Sequence, residues 1–162
     1  MKLQKRCKIS FDEGLQEFQF GWLIIVLVIP SQILITYFFI NNIGDKPFSV
    51  AGFIIVSSLL LLACLFFYGL TTKVSADKIT VVFGVGVPRK TIAINRIKSV
   101  EQVKTPWYYG WGIRYFPGGV LYNISGLDGV ELKFKDTENV IRIGSKDSHK
   151  LKDEIGKRID AN

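Results

Sequence analysis

Side chains that perform catalysis are sparse in this chain. Its one histidine, His149, stands beside Lys150 at the start of an amphipathic helix, which reads as a solvated surface position with no nucleophile paired to it. Cys7 lies in a basic tail and Cys64 inside a long apolar run, so the two cannot meet without unwinding that run. No disulfide framework follows, and with a single histidine and no cysteine cluster the spacing of metal ligands is absent. Gly84-Val85-Gly86 resembles the opening of a dinucleotide fingerprint, but Arg89 occupies the place of the third glycine and no helix pattern follows. That segment is expected to be a hairpin turn. Asp128 and Glu131 are close in sequence, as arises at any junction of turn and strand. The expectation is a protein that is not an enzyme and needs no cofactor and no metal.

Recognition chemistry is better represented. The stretch Thr105–Gly119 concentrates Trp107, Tyr108, Tyr109 and Trp111 among glycines. Such rings can form a platform that inserts into a membrane interface or grips an extended peptide. The alternative is that they pack in core and loop, with Gly110 and Gly112 supplying turn geometry. Arg114 is placed either to bind a phosphate or carboxylate or to pair with Glu131 or Asp128. Asn123, among apolar neighbours in a strand, is expected to be a satisfied structural amide. The formal net charge is +7, and from Thr71 onward 16 Lys and Arg face 10 Asp and Glu, a surplus of 6. Lys73, Lys78, Arg89 and Lys90 are the basic residues best placed to touch anionic lipid, each worth about 1 kcal/mol beside an acidic surface. Aromatics and basic charge also suit nucleic acid, but beside a membrane, lipid or protein is the simpler partner, and no nucleic acid is expected.

The elements that must position these residues begin with two uncharged apolar runs, Gly21–Ile40 and Phe48–Leu70, around the polar link Asn41–Pro47. Each has the length of about 20 residues that crosses a bilayer as a helix, so the pair is expected to be a transmembrane hairpin over 21–70. The first run lacks a small-residue cleavage site and ends in Tyr37-Phe38-Phe39-Ile40, which marks a retained anchor rather than a signal peptide. Pro30 kinks its middle, and Gln32 donates either to a carbonyl freed there or to the second helix. Lys2, Lys5, Arg6 and Lys8 precede the first run, Lys46 alone lies in the link, and Lys73, Lys78, Arg89 and Lys90 follow the second. The positive-inside rule then puts both termini in the cytoplasm, with the protein in the inner (plasma) membrane. Residues 1–20, with Phe11, Leu15 and Phe18 at near-helical spacing, are expected to form a basic interfacial helix.

After Leu70 the pattern changes to short β-branched runs between turn residues: Thr71–Ser75, Ile79–Phe83, Arg89–Ile94, Ile97–Val103, Gly112–Phe116, Val120–Ile124, Val130–Phe134 and Val140–Ile143. They lie too close together for crossover helices, so an antiparallel sheet is expected. Leu151, Ile155 and Ile159 make one apolar stripe on a last helix over Asp147–Ile159, with Ser145 or Asp147 as its cap. The fold class is α+β: a two-helix transmembrane hairpin followed, over 71–162, by a small antiparallel β-barrel or orthogonal sandwich with a C-terminal helix.

The run Tyr109-Gly110-Trp111-Gly112-Ile113-Arg114, then Leu121–Gly126 and Val130-Glu131-Leu132, resembles small bacterial membrane proteins that carry a pleckstrin-homology-like (bacterial PH) domain after a pair of spans. Phe83-Gly84, Pro88-Arg89 and Ile94–Val100 fit the same pattern. The resemblance implies a barrel of about seven strands with a C-terminal helix. It also implies a scaffold that binds lipid, peptide or its own copies, without choosing among them. Lipid-binding domains of the eukaryotic kind cluster Lys and Arg around the first hairpin, whereas only Lys73 and Lys78 flank Ser75-Ala76-Asp77 here. The expected function is a membrane-anchored cytoplasmic module that captures a protein, a peptide or further copies of itself at the bilayer. The alternative is a sensor of anionic lipid surface.

Overall fold

The computed structural model describes residues 14–44 and 49–161. The basic tail with Cys7, the link residue Lys46, and Phe48 lie outside the described residues. In chain order the elements are β1 (Gln16–Phe20), α1 (Trp22–Ile40), α2 (Val50–Phe67), β2 (Gly69–Val74), β3 (Lys78–Phe83), β4 (Arg89–Ala93), β5 (Ile97–Lys104), β6 (Gly112–Phe116), β7 (Gly119–Asn123), β8 (Asp128–Phe134), β9 (Val140–Gly144) and α3 (Ser148–Asp160). The chain is a mixed α+β protein with two N-terminal apolar helices, two sheets and a C-terminal helix.

Residues 16–20 are a strand, not the tail of an interfacial helix. β1 pairs antiparallel with β2, from Gln16 opposite Lys73 to Phe20 opposite Gly69. Period-two alternation places Gln19 inside and Phe18 and Phe20 outside, and main-chain pairing with β2 outweighs the helical spacing of Leu15 and Phe18. The two apolar helices are therefore inserted between neighbouring strands of one sheet, and the sheet domain starts before them. For the same reason α2 ends at Phe67, short of Leu70, because Gly69 and Leu70 are already paired to β1.

The strands do not close into a barrel. They form a four-stranded sheet in the order β1-β2-β3-β4 and a five-stranded sheet in the order β5-β8-β9-β7-β6. Nor is the pairing wholly antiparallel, since β9 runs parallel to β7. The reason is topological: β8 leaves β7 to pair with β5, β9 then turns back between β8 and β7, and two reversals restore the original direction. Short connections exclude a parallel arrangement only for consecutive strands.

Side chains from both sheets and α3 share one core, including Leu70, Val81 and Phe83 from one sheet, Ile97, Leu132 and Ile143 from the other, and Leu151 and Ile155 from α3. Each such aliphatic side chain contributes about 1.5–3 kcal/mol by leaving water. The cap on α3 is Asp147, whose carboxylate accepts from the Lys150 amide at 3.0 Å. Glu17 of β1 buttresses that entry, accepting from Ser145 Oγ, Lys146 N and Asp147 N. Gln19 joins the sheets: its amide donates to the Ser125 carbonyl, while its Oε1 accepts from Ile124 N at 3.4 Å.

Tyr122 packs its ring 6.3 Å from Phe83, and burial first, then the neighbouring Tyr115, raises its phenol above the usual 10.0. A phenol that ionises more readily unfolded than folded contributes stability that is complete below pH 10 and declines as pH rises through the folded pKa. Tyr122→Phe is expected to flatten this alkaline limb in urea titrations between pH 9 and pH 11. An unchanged limb would remove Tyr122 as its source.

α1 and α2 are each long and apolar enough to cross a membrane, and neither buries a residue. They pack antiparallel through Phe39 stacked on Phe53 at 4.4 Å and a hydrogen bond from Gln32 Nε2 to Ser57 Oγ at 2.9 Å. Of the two roles open to Gln32, the interhelical one is observed.

Candidate functional site

The aromatic segment forms its surface from one short turn. Trp107–Tyr109 is a single 3-10 turn, ended by Gly110 at φ +71°, and Gly112 opens β6 at φ +94°. Both values favour glycine, because a Cβ there would crowd the following carbonyl. Trp107 is 73% exposed and Tyr108 66%, so packing in the core does not account for them. Tyr109 is the ring that does pack, stacked on Phe116 at 5.6 Å. Tyr115, one position beyond Arg114, is more exposed than any of the four. Strand alternation around the half-buried Phe116 was the signal for it.

The segment lies against the base of the helices. Gly110, Trp111, Gly112, Ile113 and Arg114 face Leu23, Ile24 and Leu27 of α1 and Phe67 of α2 across a groove of about 600 Å³. Arg114 does not pair with Glu131 or Asp128; its Nε donates to the Trp111 carbonyl at 3.1 Å. Glu131 is taken by Arg142 at 2.7 Å, because β8 and β9 bring these two residues directly opposite each other. Asn123 is half satisfied: its Nδ2 donates to the Gly126 carbonyl at 3.0 Å, while its buried Oδ1 has no hydrogen-bond partner among the described residues.

The four basic residues do not form one cluster. β2 starts at the helix base with Gly69, so Lys73, four residues further, stands about 13 Å along the strand. Lys78 opens β3 at the same distant end, opposite Ala93. Arg89 and Lys90 begin β4 beside Val82 and Val81, nearer the helices.

A second groove of about 490 Å³ occupies the side where the sheets fail to close. It runs between the outer strand β4, at Lys90, Thr91 and Ile92, and the opposite sheet, at Phe116, Val120 and Ile141. Phe83 N donates to Pro88 O at 3.0 Å and Ile94 N to Asp77 O at 2.9 Å, which sets the phase of the β3–β4 ladder. By antiparallel alternation Lys90 and Ile92 bond inward to β3, and Arg89, Thr91 and Ala93 turn their N–H and C=O groups outward. Arg96, on the groove's rim, is held by Asp136 at 2.5 Å, and this hydrogen bond keeps the Asp136 carboxyl below its usual range. On the far face, the Glu101 hydrogen bond raises Lys133. Among the described residues no group of three or more His, Cys, Asp or Glu side chains is placed to hold a metal ion.

Taken together, fold and surface define a small α+β domain carrying two apolar helices, with one groove at their base and one along an open sheet edge. No family model, no curated protein and no solved structure matches this chain.

Proposed function

We propose that this chain is a membrane-anchored, pleckstrin-homology-like binding module, with α1 and α2 as its spans and its sheets on the cytoplasmic side. Its task is to hold an extended segment of a partner protein, or of a second copy, against β4. The observation that carries this is the outward-facing main chain of Arg89, Thr91 and Ala93 beside a half-apolar groove. An unpaired edge adds a strand readily, with main-chain bonds giving affinity and flanking pockets giving selectivity. Membrane anchoring is supported by two long uncharged helices with no buried residue, since the core helix of a soluble domain would be covered. Trp22, Tyr68 and Trp111 gather at the helix base, as rings do at a bilayer interface. The class of activity is binding rather than catalysis.

Sensing anionic lipid through one basic face is the weaker reading. The four basic residues do not share one face at the helix base: Lys73 and Lys78 stand at the far end of the sheet, and only Arg89 and Lys90 lie nearer the helices.

Thr91→Pro is the test. Proline removes the outward N–H of an edge strand yet is tolerated there, because no ladder bond to β3 is lost. With the full-length protein in native membranes, crosslinking is expected to trap a defined partner or a ladder of its own copies. Thr91→Pro is expected to cut that yield about tenfold or more with an unchanged unfolding midpoint, as loss of one to two hydrogen bonds implies. Undiminished capture by the variant, or recovery of monomer alone from wild type, overturns the proposal.

A further inference from the structure

We infer that the groove between α1 and residues 110–114 holds one anionic phospholipid, an acyl chain in the slot and the phosphate on Arg114. This rests on the reading of α1 and α2 as membrane spans and is independent of strand capture at β4.

The walls of the groove are apolar: Leu23 and Leu27 from α1, Phe67 from α2, Ile113 from β6, Ile124 just after β7, and Trp111. Its volume of about 600 Å³ falls within the range of specific small-molecule sites, roughly 300–1,000 Å³. Leu27 lies five residues into α1 from Trp22, about 7.5 Å along the axis at 1.5 Å per residue. With α1 spanning the hydrocarbon core of about 30 Å, its base lies at the edge of that core, so Leu27 stands at the level of the acyl chains. The α1 wall continues as the helix's exposed apolar side, including Val26 and Leu27, so a lipid enters sideways from the bilayer without crossing water.

Charge selects the headgroup. Among the described residues Arg114 is the only charged one lining the slot, with no carboxylate beside it there. Its Nε is spent on the Trp111 carbonyl, which fixes the guanidinium plane, and its two terminal nitrogens have no partner among the described residues. A planar pair of N–H donors with no counter-ion matches two oxygens of a phosphodiester. A headgroup with its own ammonium would bring a second cation next to Arg114, so an uncompensated phosphate is preferred.

The experiment uses the full-length protein reconstituted in vesicles of equal phosphatidylglycerol and phosphatidylcholine. The protein is then extracted in mild detergent, and retained lipid is counted by native mass spectrometry. Wild type is expected to keep one phosphatidylglycerol in preference to phosphatidylcholine. Arg114→Gln, at an exposed position, is expected to reduce that preference about tenfold, the effect of losing a hydrogen bond to a charged group. Leu27→Trp, which fills the slot from an exposed position on α1, is expected to abolish retention of both lipids, and Lys78→Gln at the distant sheet end to change nothing. Equal retention of the two lipids by wild type, or equal losses in Arg114→Gln and Lys78→Gln, overturns the site. Alkaline extraction of the same vesicles separates the two failures. Release of the protein into the supernatant overturns the spans and the slot together, whereas retention without a lipid preference overturns the slot alone.

Discussion

Gly84→Val is expected to destabilise the full-length protein by about 3 kcal/mol and to detach the β3–β4 turn from the helix base. Gly84 has φ +44°, in the left-handed region, where a side chain costs about 1–2 kcal/mol. A Cβ there would also press on the Leu65 carbonyl and stand 2.5 Å from the Phe66 carbonyl oxygen. Both obstacles are backbone at the end of α2 and cannot swing aside, so overpacking adds about 1–3 kcal/mol. Two bonds depend on that close approach: Gly84 N donates to Gly69 O at 2.8 Å, and Val85 N donates to Leu65 O at 3.2 Å. The second satisfies one of the carbonyls that a helix leaves open at its C-terminus. Gly86→Val is the matched control. Its φ of +118° is equally unsuited to a side chain, but nothing lies within 4 Å of the added Cβ. Urea unfolding in detergent is expected to rank Gly84→Val well below Gly86→Val. Equal losses would show that backbone strain alone acts at Gly84 and that the turn is not braced by α2.

Glu17→Ala is expected to cost about 3 kcal/mol and to loosen the N-terminal end of α3. The carboxylate accepts from Lys146 N at 2.6 Å, from Asp147 N at 2.9 Å and from Ser145 Oγ. Hydrogen bonds to a charged group are worth about 1.5–3 kcal/mol each, and half-burial of Glu17 reduces their sum. The segment they hold carries Asp147, the cap of α3, and α3 in turn seats Leu151 and Ile155 in the core. Glu17→Gln, which keeps a neutral acceptor oxygen, is expected to lose about half as much. Hydrogen exchange at Lys146 and Asp147 is the local readout, expected to speed up in Glu17→Ala before any change in β8. If those amides stay protected and the unfolding midpoint moves by less than about 0.5 kcal/mol, solvent replaces the carboxylate without loss.

Both residues show where reading the chain stops being enough. Gly84 reads as a turn glycine, and it is one. That it must be glycine because α2 ends against it follows only from the packed structure. Glu17 reads as the polar face of an amphipathic helix, whereas it belongs to a strand and reaches a loop about 130 residues away. Arg114 read equally as a ligand for a phosphate or carboxylate and as the partner of Glu131 or Asp128, and its freedom from Glu131 depends on β9 placing Arg142 opposite that carboxylate.

What the sequence alone determined was set by composition and period within short windows. Two uncharged apolar runs dictated α1 and α2, short β-branched runs between turn residues placed the strands from β2 to β9 within a residue or two, and the i, i+4 stripe of Leu151 and Ile155 placed α3. The tertiary structure decided what depends on partners distant in the chain: that residues 16–20 are a strand, that β9 runs parallel to β7, that the sheets stay open along β4, and that Trp107 and Tyr108 face outward. The physical reason is that a side chain's period is local, whereas the neighbour of a strand is chosen by pairing and burial summed over the whole fold.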